Sequence, residues 1–164
     1  MLVSNTEEFA TAIDHLSQYD AWVVDCETNG LHALQGNQLC GVGIGIENQT
    51  YYFPFRHQTL GSNLDSKLLP KLIDVMNTCK SIVGYNIKFD LKFLEKEGLD
   101  VRDKVLIDVI VMVRLTESTN VNTLNLTDTL IRRYGPDAGA YDIETKQILR
   151  KNKWMKDFSL CPPD

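Results

Sequence analysis

Asp25 and Glu27 stand two residues apart in the stretch Trp22-Val23-Val24-Asp25-Cys26-Glu27-Thr28-Asn29-Gly30-Leu31. The stretch begins as an apolar, β-branched run, which reads as a buried strand. It ends in Asn29-Gly30, a turn signal. Side chains two apart on a strand point to the same face, so both carboxylates project together from the end of a buried element. Two like charges there are costly unless something compensates them, and a divalent cation would. A second set follows in Gly84-Tyr85-Asn86-Ile87-Lys88-Phe89-Asp90. If a helix begins at Asn86, then Asn86 and Asp90, four apart, share a face at its N-terminus, where the backbone N–H groups favour anions. Taken singly, Asn86 also fits a helix cap and Asp90 an ordinary first-turn acid. Together with Asp25 and Glu27, the three acids can converge on a hard cation such as Mg²⁺ or Mn²⁺, which prefers oxygen ligands.

The elements that must position these residues follow from patterning. Residues 4–18 read as a helix, with Ser4 and Glu7 as a capping box and Phe9, Ala12, Ile13 and Leu16 at helical spacing. Strands are expected at 21–26, 39–46 and 51–55, with Asn48-Gln49 as a hairpin turn and Pro54 limiting the third strand. Residues 60–64 read as a loop and 65–76 as a helix with Pro70 in or near its first turn. A short strand at 81–84 precedes a helix at 86–97 closed by Gly98. A strand at 105–107, a helix through Leu115, and a helix at 124–134 stopped by Gly135-Pro136 complete the pattern. A meander of strands followed by alternation with helices implies an α/β fold, a mixed sheet with helices packed on it.

Composition narrows the class. The length of 164 residues fits one domain with its own core, and 43% hydrophobic with 24% charged residues is ordinary for a globular chain. No apolar run approaches the roughly 18 residues of a membrane span, and the N-terminus lacks a signal-peptide pattern; a cytoplasmic protein is expected. Cys26, Cys40, Cys79 and Cys161 are scattered, which favours buried free thiols over a zinc site or disulfides. The Asn48 and Asn125 glycosylation patterns read as chance matches. The net charge of −5 excludes a generic basic nucleic-acid binder, but the charge is uneven. Residues 130–156 carry seven cations against three anions, a net +4 beside −9 on the rest. That basic segment fits a phosphate contact or a solvated helix face.

The two acidic stretches in this order, Asp-x-Glu-Thr-x-Gly-Leu and Gly-Tyr-Asn-x-Lys-Phe-Asp, resemble the first two motifs of the DEDD exonuclease superfamily. The chain looks most like the 3′–5′ proofreading domain of bacterial and phage family A DNA polymerases. The segments 41–46, Tyr52-Phe53-Pro54-Phe55-Arg56-His57 and 124–130 share in that resemblance, which covers roughly residues 20–135. It implies a ribonuclease H-like fold and two Mg²⁺ or Mn²⁺ ions. Asp25 would bridge the ions, Glu27 would hold the tighter one and Asp90 the other. It further implies that Thr28, through its backbone N–H, meets the 3′ end, that Leu31 wedges against the terminal bases, and that Asn86 contacts substrate or positions the second motif; Leu31 and Phe89 are apolar side chains on which terminal nucleotides could stack. The expected reaction is hydrolysis at the 3′ end of single-stranded DNA, with ions about 3.5–4 Å apart. A polymerase domain or subunit would be the partner, and no membrane is involved.

The chain departs from that pattern in one place. The family's fourth carboxylate lies in a late Tyr-x-x-x-Asp motif, and none is found here: Tyr134 precedes Ala138 and Tyr141 precedes Thr145 by four. The expectation is therefore a single exonuclease domain, 1–164, without its third motif. Asp108 is expected to cap a helix and His57 to be a surface or packing residue. The alternative function is a catalytically incomplete domain that binds 3′ ends or a polymerase. An unrelated mixed-sheet domain with coincidental acids is the remote reading.

Overall fold

The computed structural model describes residues 1–59, 61, 63–117 and 123–163. Leu60 and Ser62, in the expected loop, and Asp164 lie outside the described residues. A five-stranded mixed sheet runs in the order β3 (Gln49–Pro54), β2 (Leu39–Ile46), β1 (Ala21–Thr28), β4 (Ser81–Gly84), β5 (Val105–Asp108). β1 pairs antiparallel with β2 and parallel with β4, so the Asp25 strand is central. The meander and the two parallel strands stand where the patterning puts them.

Alternation along β1 separates two faces. Trp22 is 1% exposed and Val23 is 53% exposed. Trp22, Val24 and Cys26 point into a core shared with α1 (Thr6–Leu16), α2 (Leu68–Thr78) and α3 (Lys88–Lys96). These helices supply Phe9, Ala12 and Leu16, then Leu69, Leu72 and Met76, then Leu91 and Leu94. The other face carries Val23, Asp25 and Glu27. Opposite them on β2 lie Gly45, Gly43 and Gly41, in register. Tyr52, paired with Gly43, leans so far over Gly41 that a Cβ there would collide with its hydroxyl.

Several boundaries differ from the sequence reading, each for a local reason. The first helix starts at Thr6 because Asn5, in extended backbone, is the cap; its side chain accepts from Glu8 N–H at 2.9 Å. Glu8, not Glu7, reaches back to the Ser4 N–H and hydroxyl. The second helix starts at Leu68, with Pro70 in its first turn as allowed. The hairpin turns at Glu47-Asn48. Asp108 caps α4 (Val109–Thr116) through the Ile110 N–H. Gly135 stops α5 (Leu126–Tyr134), and α6 (Ala140–Lys151) follows, a helix that the sequence reading did not place. Cys26, Cys40 and Cys79 are buried free thiols; Cys161 is half-buried. Among the described residues no helix is long and apolar enough to cross a membrane.

The glycine face gives a paired expectation. Gly41→Ala should lower stability by about 1–3 kcal/mol, because the new methyl displaces Tyr52. Gly43→Ala, with no neighbour nearer than the Asp25 carbonyl at 3.6 Å, should be neutral or gain up to about 1 kcal/mol from a stiffer unfolded chain. Urea unfolding of the two variants beside the parent measures both.

Candidate active site

β1 outlasts its parallel neighbour. The pairing with β4 ends at Val23–Val83, and β4 itself stops at Gly84. Cys26 N–H, past that point, donates to Asp90 Oδ1 at 2.9 Å. Asp90 comes from the first turn of α3 and is 3% exposed. Its carboxylate is therefore clamped to the backbone between Asp25 and Glu27. On the other side a bulge at Cys40 shifts the register between Glu27–Gly41 and Thr28–Leu39. Bulges re-aim neighbouring side chains, and this one lies where β1 leaves the sheet. The Cys40 carbonyl accepts from both Phe55 and Arg56 N–H, and Arg56 reaches Glu97 at the end of α3 in a bidentate pair at 2.8 and 3.2 Å. The bulge and the helix that carries Asp90 are thus tied together.

Burial raises the proton affinity of all three acids, and the charge of Asp25 raises that of the other two further. Burial, then the charges of Asp25 and Asp90, push Glu27 up to about 8. Burial, then the charge of Asp25, push Asp90 up to about 7, against the opposing Cys26 N–H. Asp25 opens to solvent at the cleft, yet desolvation by the surrounding walls raises it as well. None of the three has an ion-pair partner among the described residues. This donor set, all oxygen and lacking counter-charge, fits a hard divalent cation. Among the described residues no group of three or more acid, histidine or cysteine side chains is arranged so that protein ligands alone could hold a metal ion. Mg²⁺ tolerates such an arrangement, because it keeps waters and takes substrate phosphate oxygens beside one or two carboxylates.

Asp25 and Glu27 border a cleft of about 310 Å³ that is also lined by Thr28, Leu31, Phe89 and Phe158. Thr28 is buried, and its hydroxyl donates to the Gly30 carbonyl at 2.7 Å, which fixes the turn after the strand. Leu31 is 69% exposed on the rim, and Phe89 stacks obliquely on Phe93 with ring centroids 5.2 Å apart. Asn86 is placed differently from the sequence expectation. The helix begins at Lys88, and Asn86 is neither in it nor its cap. It is exposed, at φ +61°, a left-handed conformation that Asn tolerates. Its N–H donates to Asp108 Oδ1 at 2.9 Å, the oxygen that also caps α4. Asn86 and Asp90 therefore do not share a helical face.

Other residues reach the site unannounced. Phe158, Met155 and Lys156 line the cleft from the segment after α6. That segment is anchored at buried Ser159, whose carbonyl and hydroxyl accept from Gln58 at 2.6 and 2.7 Å. His57 is buried, a packing residue with a defined tautomer. Nδ1 faces the Cys161 carbonyl at 2.7 Å and must donate; burial lowers the ring's proton affinity, so neutral Nε2 accepts from the Tyr52 hydroxyl at 2.7 Å. Tyr52, His57 and Phe158 share a smaller cavity with Glu27. Period-two alternation, which sends Tyr52 away from its core neighbours Tyr51 and Phe53, is the signal that could have found Tyr52. The bond from His57 to Cys161 spans 104 residues, which no local pattern carries.

A family model of the DNA polymerase A exonuclease type, described as 3′–5′ exonuclease, matches residues 1–156. No curated protein matches the chain by sequence. Among solved structures it resembles the Nibbler EXO domain of Aedes aegypti: TM-score 0.59, 12% identity, 95% of this chain and 90% of that one. It also resembles Brucella melitensis NrnC bound to pGG (TM-score 0.52, 16% identity, 84% and 76% coverage). Escherichia coli RNase D, a structured-RNA-processing exoribonuclease, is similar at TM-score 0.51 and 11% identity over 94% of this chain and 46% of that one. These likenesses confirm the ribonuclease H-like α/β architecture.

The raised carboxyls fix a pH dependence. Glu27 and Asp90 bind protons more tightly folded than unfolded, so the stability they contribute is complete below their ordinary values near 4 and is lost as pH rises through about 7 to 8. In EDTA the melting temperature should fall over that range, by about 2–4 °C per kcal/mol. Glu27→Gln should flatten the fall, and Mn²⁺ should reverse it. A pH series of calorimetric scans tests this; a flat EDTA profile would refute the electrostatic cluster.

Proposed function

The chain belongs to the 3′–5′ exonuclease family, and on that premise we propose that it removes nucleotides from the 3′ end of single-stranded DNA, as a proofreading domain beside a polymerase domain or subunit. The observation that carries this reading is a cleft with an apolar rim that Asp25 and Glu27 line, with buried Asp90 clamped to the strand backbone between them.

Asp25, Glu27 and Asp90 would hold Mg²⁺ or Mn²⁺, two ions by resemblance to the family. Such ions supply an activated water and neutralise charge on the phosphodiester. Asp90 is held by the Cys26 N–H, so its second oxygen is the one that can face a ligand. Leu31, Phe89 and Phe158 offer apolar surface on which terminal bases can stack, a contact that every base can make. Such stacking needs unpaired bases, which supports a single-stranded end as substrate. Thr28 and Gly30 fix the turn from which backbone N–H groups meet the terminal sugar. Asn86, exposed just before α3, would touch the strand rather than the ions. The polymerase-type family model supports DNA over RNA.

The test is digestion of 5′-labelled single-stranded DNA, and of RNA of equal sequence, in Mn²⁺. The expected result is a ladder shortened from the 3′ end, faster on DNA, with Asp25→Ala slower by about 10²–10³-fold or more. Cleavage that survives in Asp25→Ala would overturn the site. No cleavage, with 3′-end binding that persists in EDTA, would instead establish the non-catalytic end-binding reading.

A further inference from the structure

The basic segment can now be divided by partner. Arg132 and Arg133 both bind Glu117, at 2.8 and 3.1 Å. Lys146 binds Asp142 at 2.7 Å and the Thr127 hydroxyl at 2.6 Å. Arg150, Lys151, Lys153 and Lys156 have no ion-pair partner among the described residues. Arg150 and Lys151 are in the last turn of α6, where the helix dipole accounts for cations. It does not account for Lys153 or Lys156, which lie beyond the helix. Lys153 is held at φ +62°, a left-handed conformation that is unfavourable for a residue with a Cβ and that glycine adopts freely. A cation thus stands in the turn where the backbone favours glycine.

The position of these cations is the second observation. A groove of about 400 Å³ runs between α5 and α6, lined among others by Asn125, Ile131, Lys146 and Arg150. Met155 lines this groove and also the carboxylate cleft, and Lys156 lines the cleft. The two hollows therefore meet at one side chain, which lines both. Asp128, the acid of the groove, is turned to the Asn125 side-chain amide at 2.7 Å. This segment sums to +4, whereas the rest of the chain sums to −9, so a polyanion is attracted to the segment and repelled by the remainder taken as a whole.

We propose that the α5–α6 groove and the turn after it, with Arg150, Lys153 and Lys156, form the track for the single strand on the 5′ side of the nucleotide being removed. The proposal rests on the nuclease reading above and adds where the rest of the substrate lies. Arg150 and Lys153 contact backbone phosphates, Lys156 takes the phosphate nearest the cleft, and Met155 is the saddle over which the strand passes. The groove reads no bases; it steers a polyanion away from the acidic body and makes short oligonucleotides poorer substrates than long ones.

The test compares the parent with Arg150→Ala/Lys153→Ala, both exposed positions, so the fold should be retained. Anisotropy of a 5′-fluorescent single-stranded DNA of about a dozen nucleotides is read in EDTA across a KCl series, beside a trinucleotide. The double variant should bind the longer strand more weakly, its log–log salt slope shallower by about 1.4, or 0.7 per lost phosphate contact. Trinucleotide binding and its cleavage in Mn²⁺ should be unchanged. An unchanged slope on the longer strand, with trinucleotide cleavage intact, overturns the track and leaves the nuclease reading standing. A parent that binds neither strand and cleaves nothing overturns both.

Discussion

The bond from Cys26 N–H to Asp90 Oδ1 is the contact on which the site depends. It exists because β4 is only four residues long, so the central strand runs on past the end of its parallel neighbour. A buried N–H that finds no partner costs about 1–3 kcal/mol, and a carboxylate from the first turn of α3 takes the place that another strand would have filled. That one bond satisfies a backbone donor, seats the helix against the sheet, and sets a third acid between two others on alternate positions of the strand. The glycines of β2 and the Cys40 bulge leave room on the far side. Sheet geometry alone therefore gathers the acids, and no flexible loop has to close to bring Asp90 to Asp25.

The gathering is electrostatically unfavourable, and the remaining structure is arranged around that fact. No arginine or lysine enters ion-pair distance of the three carboxylates among the described residues, although Lys156 lines the same cleft. The nearby polar machinery faces elsewhere. The Tyr52 hydroxyl donates a hydrogen bond to His57 Nε2, and His57 Nδ1–H donates one to the Cys161 carbonyl, so both groups are neutral and leave the acids without a buried counter-ion. A structural ion pair would have lowered these pKa values and stabilised the fold. What is found instead holds negative charge poorly compensated and partly desolvated, the state in which a divalent cation is bound most favourably.

How much of this was legible in the sequence depends on the range of the determining contact. β1 and β2 were readable because apolar, β-branched and glycine-rich runs state their own conformation, and Asp25 and Glu27 share a face by the period of a strand. Asp90 was readable as a first-turn acid. Asn86 was not correctly placed, because its left-handed backbone is held by Asp108, 22 residues away, and nothing local distinguishes it from a helix cap. α6 was missed for a different reason. Leu149 is the single residue of that helix that is buried, so its sequence has almost no apolar period to read. Phe158 and His57 belong to the site through contacts that join the 57–59 loop to the 159–161 turn, separations near a hundred residues that only the folded chain makes visible.

The openness of the carboxylate cluster also bears on specificity. A closed cage of protein oxygens would bind a cation without substrate and would prefer Ca²⁺, with its six to eight ligands. On the proposed function, an open cluster would leave coordination sites for water and for phosphate oxygens, so cation and substrate would strengthen each other's binding. Selectivity must then come from the walls. On the proposed function, the apolar faces of Leu31, Phe89 and Phe158 would reward unstacked bases without reading their edges, which would make the cleft tolerant of sequence and demanding of a free end. Rate and selectivity would then be separable. The carboxylates on β1 and α3 would set the first. The second would be set by the rim and by the segment after α6, which share the cleft with Asp25 and Glu27.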